Sequence, residues 1–399
     1  LNVQQELLNK LNSALNHAGK SKFYQNKGLQ GQVESIEDFQ QIPPTTKEDL
    51  RNCDPLDVLS VDMGKIQEYH ESFGTTGKPV PVWYSRYDMD QQVKQLNSPD
   101  LDVKETDIVM IRFPYAISIP AHIFSRMFIE EKATIIPVSR GSLVTPYTRV
   151  IEMLKRLKVT ILACNPTEAI VLADVVKKLG LDPKNDFAIR AICVAGELLC
   201  LERKQIIEEL WGCEVFVYGG STEAANVFVS CKKGHLHCHE DFYIEVVDPQ
   251  DTTKIRTEGK GLMLITLLNK EAFPLIRYNT GDLVELHKNT CDCRLSGDIL
   301  IHHGREVDQI TIGDNSATML EIQTALYQKK ELGIVKYWKM KQEQNELVFY
   351  VEGEVEKASK EITLNLPFPN RVHIVEVGTI QNIEQLLVTT ELRKASYIM

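Results

Sequence analysis

Between residues 107 and 220, short apolar runs alternate with longer amphipathic stretches. Segments 108–113, 133–138, 159–163, 189–194 and 215–218 are apolar and have the length of buried strands. Between them, 120–130, 148–157, 167–179 and 201–211 carry helical patterning; in the second, the apolar positions are 150, 151, 153, 154 and 157. Gly180 and Gly212 stand where the last two helices would close. Alternation at this spacing predicts crossover units and a largely parallel sheet. Residues 1–50 read as helical and polar, with Thr46 a candidate N-cap and Asp49 its acidic partner three positions on. After residue 226 the rhythm changes. Segments 242–247, 261–268 and 282–286 read as strands separated by turns, predicting an antiparallel or barrel-like subdomain over roughly 227–300. Beyond Gly304 lies a charged α+β tail of about 95 residues, enough for a small domain. The expected fold class is therefore α/β. A large N-terminal domain (1–303) combines mixed and parallel sheets with flanking helices, and a small C-terminal domain (304–399) follows.

Composition narrows the function classes. The chain has 399 residues, 43% of them hydrophobic and 25% charged, as in soluble globular proteins. A net charge of −10 argues against a nucleic-acid binder, although a local basic pocket for a nucleotide remains compatible. No apolar run approaches a membrane helix, and no signal-like segment opens the chain. Nine cysteines, an odd number scattered through a long chain, fit a reducing compartment better than a disulfide framework. The expected location is cytoplasmic. The chain opens at Leu1 without a methionine, so its first residue is not read as a native start.

The richest stretch chemically is Ser72-Phe73-Gly74-Thr75-Thr76-Gly77-Lys78-Pro79. Glycines turn backbone amides towards an anion, threonine hydroxyls add donors, and the lysine adds charge. Such a loop can cradle phosphate oxygens; it can also be an ordinary Gly-Thr turn. It is not a Walker loop, because only two residues separate Gly74 from Gly77 and a proline follows the lysine. Further on, the strand at 215–218 runs into Gly219-Gly220-Ser221-Thr222-Glu223. Polar groups at the carboxyl edge of an α/β sheet are placed for a ligand. Glu223 could hold Mg2+, Thr222 could touch a phosphate and Tyr218 could stack on a base; the alternative is a glycine turn with a solvated glutamate. Arg277-Tyr278-Asn279-Thr280-Gly281-Asp282 offers a carboxylate after a tight turn, suited to a ribose hydroxyl pair, and Gly304-Arg305 offers a guanidinium. A last constellation is Cys231, His235, His237, Cys238 and His239 with Cys291 and Cys293. A Cys-x-Cys pair closes poorly on itself, but its two thiolates can converge on one metal with a distant cysteine and a histidine. Free buried thiols beside a solvent-facing histidine cluster are the other reading.

In their order along nearly the whole chain, these motifs resemble the adenylate-forming superfamily of acyl-CoA ligases and adenylation domains, and within it the phenylacetate-CoA ligase family. The resemblance takes in 43–51, the Thr-Thr-Gly-Lys-Pro loop, Ala195-Gly196-Glu197, Ser221-Thr222-Glu223, 278–282, Gly304-Arg305 and a near-terminal lysine. It implies a two-step reaction in which a small, aromatic or other, carboxylic acid attacks the α-phosphate of Mg-ATP and a thiol then displaces AMP from the acyl-adenylate. The thiol would be that of CoA; the rival acceptors are a carrier-protein phosphopantetheine or an amine. Gly74, Thr75, Thr76, Gly77 and Lys78 would hold the β- and γ-phosphates, and Glu223 the metal, with Thr222 beside it. Tyr218, Gly219, Gly220 and Ser221 would border the nucleotide, Gly196 and Glu197 the adenine and acyl pockets, and Asp282 the ribose. Arg305 would sit at the junction with a mobile C-terminal domain, which would bring Lys394 to the adenylation step as an electrostatic partner.

The sequence departs from the family pattern at three places. Tyr218 precedes Glu223 by five positions where four is usual, so Gly220 reads as an insertion. Val307 takes the usual acidic hinge position, leaving Asp308 as the hinge candidate, and 312–316 match poorly. Ala195 and Tyr115 are expected in the acyl site, and Ile119-Pro120 replaces paired glycines there, implying a differently shaped wall. The resemblance also selects Cys231, His237, Cys291 and Cys293 as ligands of a structural Zn2+. Self-association as a homodimer is left open.

Overall fold

The computed structural model describes residues 3–29, 31–72, 78–353 and 362–388. Its contacts separate two units. The first comprises Leu1–Asp102, Tyr115–Met127 and Tyr218–His302, the second Val103–Pro114, Phe128–Val217 and His303–Met399.

In chain order the first unit opens with helices α1 (Val3–Ala18), α2 (Lys22–Asn26), α3 (Ile36–Gln40) and α4 (Lys47–Asn52). The expected capping box starts α4: Asp49 N–H donates to Thr46 Oγ1 at 3.1 Å and Thr46 N–H to the Asp49 carboxylate at 2.8 Å. Strands β1 (Ile66–Glu71) and β2 (Pro81–Ser85) form an antiparallel pair. At its end Ser72 N–H donates to Val80 O at 3.1 Å and Val80 N–H to Ser72 Oγ at 2.9 Å. Helix α5 (Arg86–Leu96) follows from a second capping box, Ser85 with Asp88.

The alternating region is built as its pattern predicts. Strands β3 (Ile108–Ile111), β4 (Thr134–Pro137), β5 (Ile161–Cys164), β6 (Ala191–Val194) and β7 (Glu214–Ser221) are separated by α6 (Pro120–Glu130), α7 (Tyr147–Arg156), α8 (Pro166–Lys178) and α9 (Leu201–Trp211). All pairings here are parallel: β4 with β3, β3 with β5, β5 with β6, and β6 with the Glu214–Val217 part of β7. Pro166 begins α8, and Gly212, left-handed at φ 68°, ends α9 with its N–H on Glu208 O at 2.7 Å. Leu154, Val171, Val175, Ile192 and Val194 meet in the core of this unit. Burying such side chains contributes roughly 1.5–3 kcal/mol each.

Chain passage into the first unit falls inside β7, after Val217. There follow β8 (Ala225–Ser230), β9 (Leu236–Cys238), β10 (Phe242–Asp248), β11 (Asp251–Ile255), β12 (Gly261–Leu267), β13 (Tyr278–His287) and β14 (Ile299–Arg305). Of the two arrangements expected, the antiparallel sheet is realised. Its order runs open, β11-β10-β12-β13-β14-β9-β8, among the described residues. The strand expected at 282–286 starts earlier, at Tyr278. Tyr278 and Asn279 pair with Ile265 and Leu264, whereas Leu283 and Val284 pair with Leu262 and Gly261. Thr280-Gly281-Asp282 is thus a bulge within a strand and not a chain reversal, with Gly281 at φ 76°.

The C-terminal segment carries a hairpin, β15 (Ile310–Ile312) with β16 (Asn315–Ala317), then α10 (Met319–Tyr327). A three-stranded sheet of β17 (Trp338–Glu343), β18 (Glu346–Glu352) and β19 (Asn370–Val375) follows, and then α11 (Ile383–Val388). Trp338, Phe349, Ile322 and Leu326 form its own core.

Candidate active site

The turn between β7 and β8 is built by close approach. A Cβ on Gly219 would lie 1.9 Å from the Phe228 ring, and one on Gly220 would lie 1.6 Å from Ala225 O. Only glycine fits at either position. The register shift between these strands leaves Val227 of β8 unpaired opposite Gly219 and Gly220, so the extra residue is on β8. Ser221 Oγ accepts from Ala224 N–H, and Thr222 O accepts from the Tyr84 hydroxyl at 2.5 Å. Tyr218 is 2% exposed, its ring edge-on to Phe124 at 5.0 Å inside the core of the unit.

Glu223, at the tip of this turn, is 1% exposed, and neither carboxylate oxygen has a hydrogen bond. The Lys47 ammonium stands 3.7 Å away. A buried carboxylate normally carries several hydrogen bonds, because desolvation without them costs several kcal/mol, roughly. The two bare oxygens, which are hard donors, fit a small divalent cation such as Mg2+. Nearby, Lys270 lies 3.4 Å from the centroid of the Tyr84 ring, with no hydrogen bond on its ammonium. Burial pushes its pKa down to about 8, although Asp88 acts in the opposite direction.

Other expected residues of the first unit fall into separate places. Lys78 is exposed ahead of β2, whereas Gly74, Thr75, Thr76 and Gly77 lie outside the described residues, as does Lys394. Tyr115 is half-buried; its hydroxyl donates to Ser125 Oγ at 2.8 Å, and His122 Nε2 lies 2.9 Å from its carbonyl. Burial raises the Tyr115 phenol. Just after it Ile117 adopts φ 54°, a strained setting for a β-branched residue. Asp282, in the β13 bulge, is nearly buried; His302 Nε2 lies 3.4 Å from its carboxylate. Thr45 bridges to Tyr278, which places the 43–51 segment beside the motif at 278–282.

In the second unit, Gly196 has φ 84°, and a Cβ there would meet Asn165 Nδ2 at 2.7 Å. That amide donates to Ala195 O at 2.8 Å. Glu197 accepts from Thr167 N–H at 3.2 Å and from the Thr167 hydroxyl at 2.6 Å, so one oxygen caps the start of α8 while the other is buried without a hydrogen bond. Gly304, at φ 101°, packs against Met319 and Leu198, and Arg305 opens a short 3-10 turn that contains Asp308.

The fold brings four of the cysteine and histidine side chains together. Ligand atoms of Cys231, His237, Cys291 and Cys293 all lie within 4.8 Å of one another. Gly297 makes this possible: a Cβ there would sit 1.7 Å from Cys238 O, so only glycine lets the 288–298 loop lie on β9. Its carbonyl accepts from His237 Nδ1 at 3.0 Å, leaving Nε2 towards Cys293 Sγ at 3.3 Å. Metal-binding imidazoles carry such a bond on the other ring nitrogen. A hydrogen bond from His235 pulls the Cys291 thiol down, towards the thiolate a metal needs. Three thiols and one imidazole nitrogen suit a closed tetrahedral centre. Cys238 is buried, its thiol pushed up to about 12 by desolvation, and it stands outside the cluster with His235 and His239.

Two residues at the Glu223 turn escaped the sequence reading. Lys47 offered a signal: a lysine at the first position of a helix opposes the helix dipole and calls for another reason to be there. Lys270 offered none, because its burial depends on strands distant in sequence.

No family model matches the sequence. Structurally the chain shares its fold with solved CoA ligases. A 2-hydroxyisobutyryl-CoA ligase in complex with R3-HIB-AMP superposes with a TM-score of 0.85, covering 99% of this chain and 89% of that one at 21% identity. A benzoate CoA ligase from Burkholderia xenovorans gives 0.57 over 82% and 69%, at 16% identity. Sequence narrows the class. Phenylacetate-coenzyme A ligase from Thermus thermophilus is 28% identical over 354 residues, 86% of this chain and 75% of that protein. The Pseudomonas putida phenylacetate-coenzyme A ligase is 25% identical over 418 residues, 96% and 92% of the two chains. By fold the chain is similar to solved CoA ligases, and by sequence it is similar to phenylacetate-coenzyme A ligases.

Proposed function

We propose that this chain is an ATP-dependent acid–thiol ligase acting on a small, aromatic carboxylic acid. The acid's carboxylate oxygen forms a bond to the α-phosphorus of ATP and pyrophosphate leaves. The CoA thiol, losing its proton, then forms the thioester, and AMP departs. The observation that carries this reading is the buried, hydrogen-bond-free carboxylate of Glu223 on a glycine-built turn, in a chain related along most of its length to phenylacetate-CoA ligases. Glu223 would hold Mg2+, which offsets phosphate charge when bound. Thr222 would stand beside it, Gly219–Ser221 would border the nucleotide, and Asp282 would take the ribose hydroxyls. Lys78, with residues 74–77, would contact the outer phosphates. Ala195, Gly196 and Glu197 would line the adenine and acyl pockets, with Tyr115 on the acyl side. Arg305 would mark the start of a mobile C-terminal domain, and Lys394 would stabilise charge in the adenylation step. Cys231, His237, Cys291 and Cys293 would hold a structural Zn2+ that staples β9 to the loop after β13. No helix among the described residues is long and apolar enough to cross a membrane, in keeping with a small-molecule enzyme.

The test is acid-dependent ATP–pyrophosphate exchange with aryl, alkyl and amino acids, followed by CoA. Exchange with an aryl acid and CoA-dependent AMP release are expected. Exchange without thioester would move the acceptor to a carrier-protein phosphopantetheine or an amine, and no exchange with any acid would overturn the reading.

A further inference from the structure

A second set of metal-binding side chains lies in the first unit and shares no residue with the cysteine site. Glu68 and His70 are two positions apart on β1, and His122 lies in the first turn of α6. Strand alternation puts 68 and 70 on one face. A main-chain bond from Glu71 N–H to Ile117 O, 3.2 Å, holds the segment before α6 against the end of that strand. The ligand atoms of all three residues lie within 4.8 Å of one another.

The orientation of the two rings carries the argument. His70 Nδ1 faces Ile117 O at 3.3 Å, and His122 Nε2 faces Tyr115 O at 2.9 Å. A carbonyl can only accept, so these nitrogens bear the protons. The opposite nitrogens, His70 Nε2 and His122 Nδ1, then present lone pairs when the rings are neutral. Both point at one oxygen, Glu68 Oε2, at 3.0 and 3.2 Å. Such a convergence is satisfied either by a second proton on each ring, donated to Glu68, or by a metal cation shared among the three groups. These separations match the roughly 3.3 Å between ligand atoms in a tetrahedral centre with bonds of about 2.0–2.1 Å. Carbonyls on the far side of both rings are the outer-shell bonds of metal-bound histidines, and Arg126 holds the other oxygen of Glu68 as such a shell holds a ligating carboxylate. His70 is 3% exposed and His122 33%, so the cluster is closed on one side and open on the other.

We propose that Glu68, His70 and His122 form a divalent-cation site of the two-histidine, one-carboxylate type, suited to zinc and open at a fourth position to water or an anionic ligand. The ion ties β1 to the segment that carries Tyr115. The significance of that tie for the acyl pocket rests on the function proposed above; the site itself does not.

Zinc content of the full chain, purified from zinc-supplemented cells, tests the proposal. The expected result is two zincs per chain, one of which is lost in both His122→Ala and Glu68→Gln and kept in Cys293→Ser. Glu68→Gln preserves side-chain volume and serves if His122→Ala folds poorly. Cobalt substitution separates the two centres: the cysteine site gives thiolate-to-metal absorption in the near ultraviolet, and this one adds visible absorption without it. Loss of that visible absorption in Glu68→Gln, with the thiolate band intact, supports the site. Equal zinc in wild type, His122→Ala and Glu68→Gln overturns it. A wild type whose zinc is lost only in Cys293→Ser overturns it too, while leaving the ligase reading untouched.

Discussion

Two glutamates, one in each unit, are withdrawn from water to the same degree and treated in opposite ways. Glu168 in α8 is 0% exposed; Arg112 Nε and the Tyr147 hydroxyl each donate to it at 2.9 Å, and Arg140 Nε stands at 3.4 Å. Glu223 is 1% exposed and receives no hydrogen bond, only a lysine at 3.7 Å. At Glu168, direct bonds offset desolvation and lock α7 and α8 around a shared charge network. At Glu223 the loss of water is left largely uncompensated. The first glutamate reads as architecture, and the second is where the proposed metal role can be tested.

Substitution should separate the two at once. Glu223→Gln is expected to lower acid-dependent exchange by about 100-fold or more while leaving thermal stability at or above the wild-type value. A large fall in stability with activity kept would erase the contrast. Glu168→Ala should destabilise by about 3–5 kcal/mol, because Arg112 and Arg140 would remain buried without their carboxylate; chemical denaturation measures it.

Lys270 sharpens the comparison from the cationic side, as a buried charge near the Glu223 turn rather than in the frame. Its folded pKa is about 8 against an ordinary 10.5. The cost of burying its charge is fully present below pH 8 and fades as pH rises from 8 to 10.5, where the unfolded chain still holds the proton and the folded chain does not. Lys270→Met should therefore raise stability by about 2–3 kcal/mol at pH 7, with the gap to wild type closing over that window. A gap that does not change with pH would mean the ammonium is solvated.

Asp241 gives the smallest effect. Burial alone would raise its pKa, but hydrogen bonds from His239, Gln95 and Asn269 hold it at about 2, below the ordinary 3.8. Its contribution is present above pH 3.8 and lost as pH falls through 2. Asp241→Asn should cost about 1–2 kcal/mol at pH 7 and flatten the acid limb of the stability curve.

Much of the frame was legible in the chain. The strands and helices between 107 and 220 lie within a few residues of where apolar run length and Gly212 put them, because those signals act within one turn or one strand. The Thr46–Asp49 box was legible for the same reason. The stretch 278–282 was not: Thr-Gly-Asp carries turn chemistry, but pairing of Tyr278 and Asn279 with β12 converts the turn into a bulge. Cys291 and Cys293 announce themselves by spacing. Glu68, His70 and His122 do not, since the third is supplied by a helix some fifty positions away.

The sequence by itself determined the order of elements, the glycines that close helices and the chemical kinds of residue available to the proposed nucleotide-using ligase. These follow from local sterics, periodicity and motif order. Tertiary structure decided which of those residues are dry, which are partnered and which converge: Glu223 bare, Glu168 satisfied, four cysteine and histidine side chains gathered by Gly297, and two histidines turned on one glutamate. Desolvation and convergence are properties of what surrounds a residue, and those surroundings come from segments far apart in the chain.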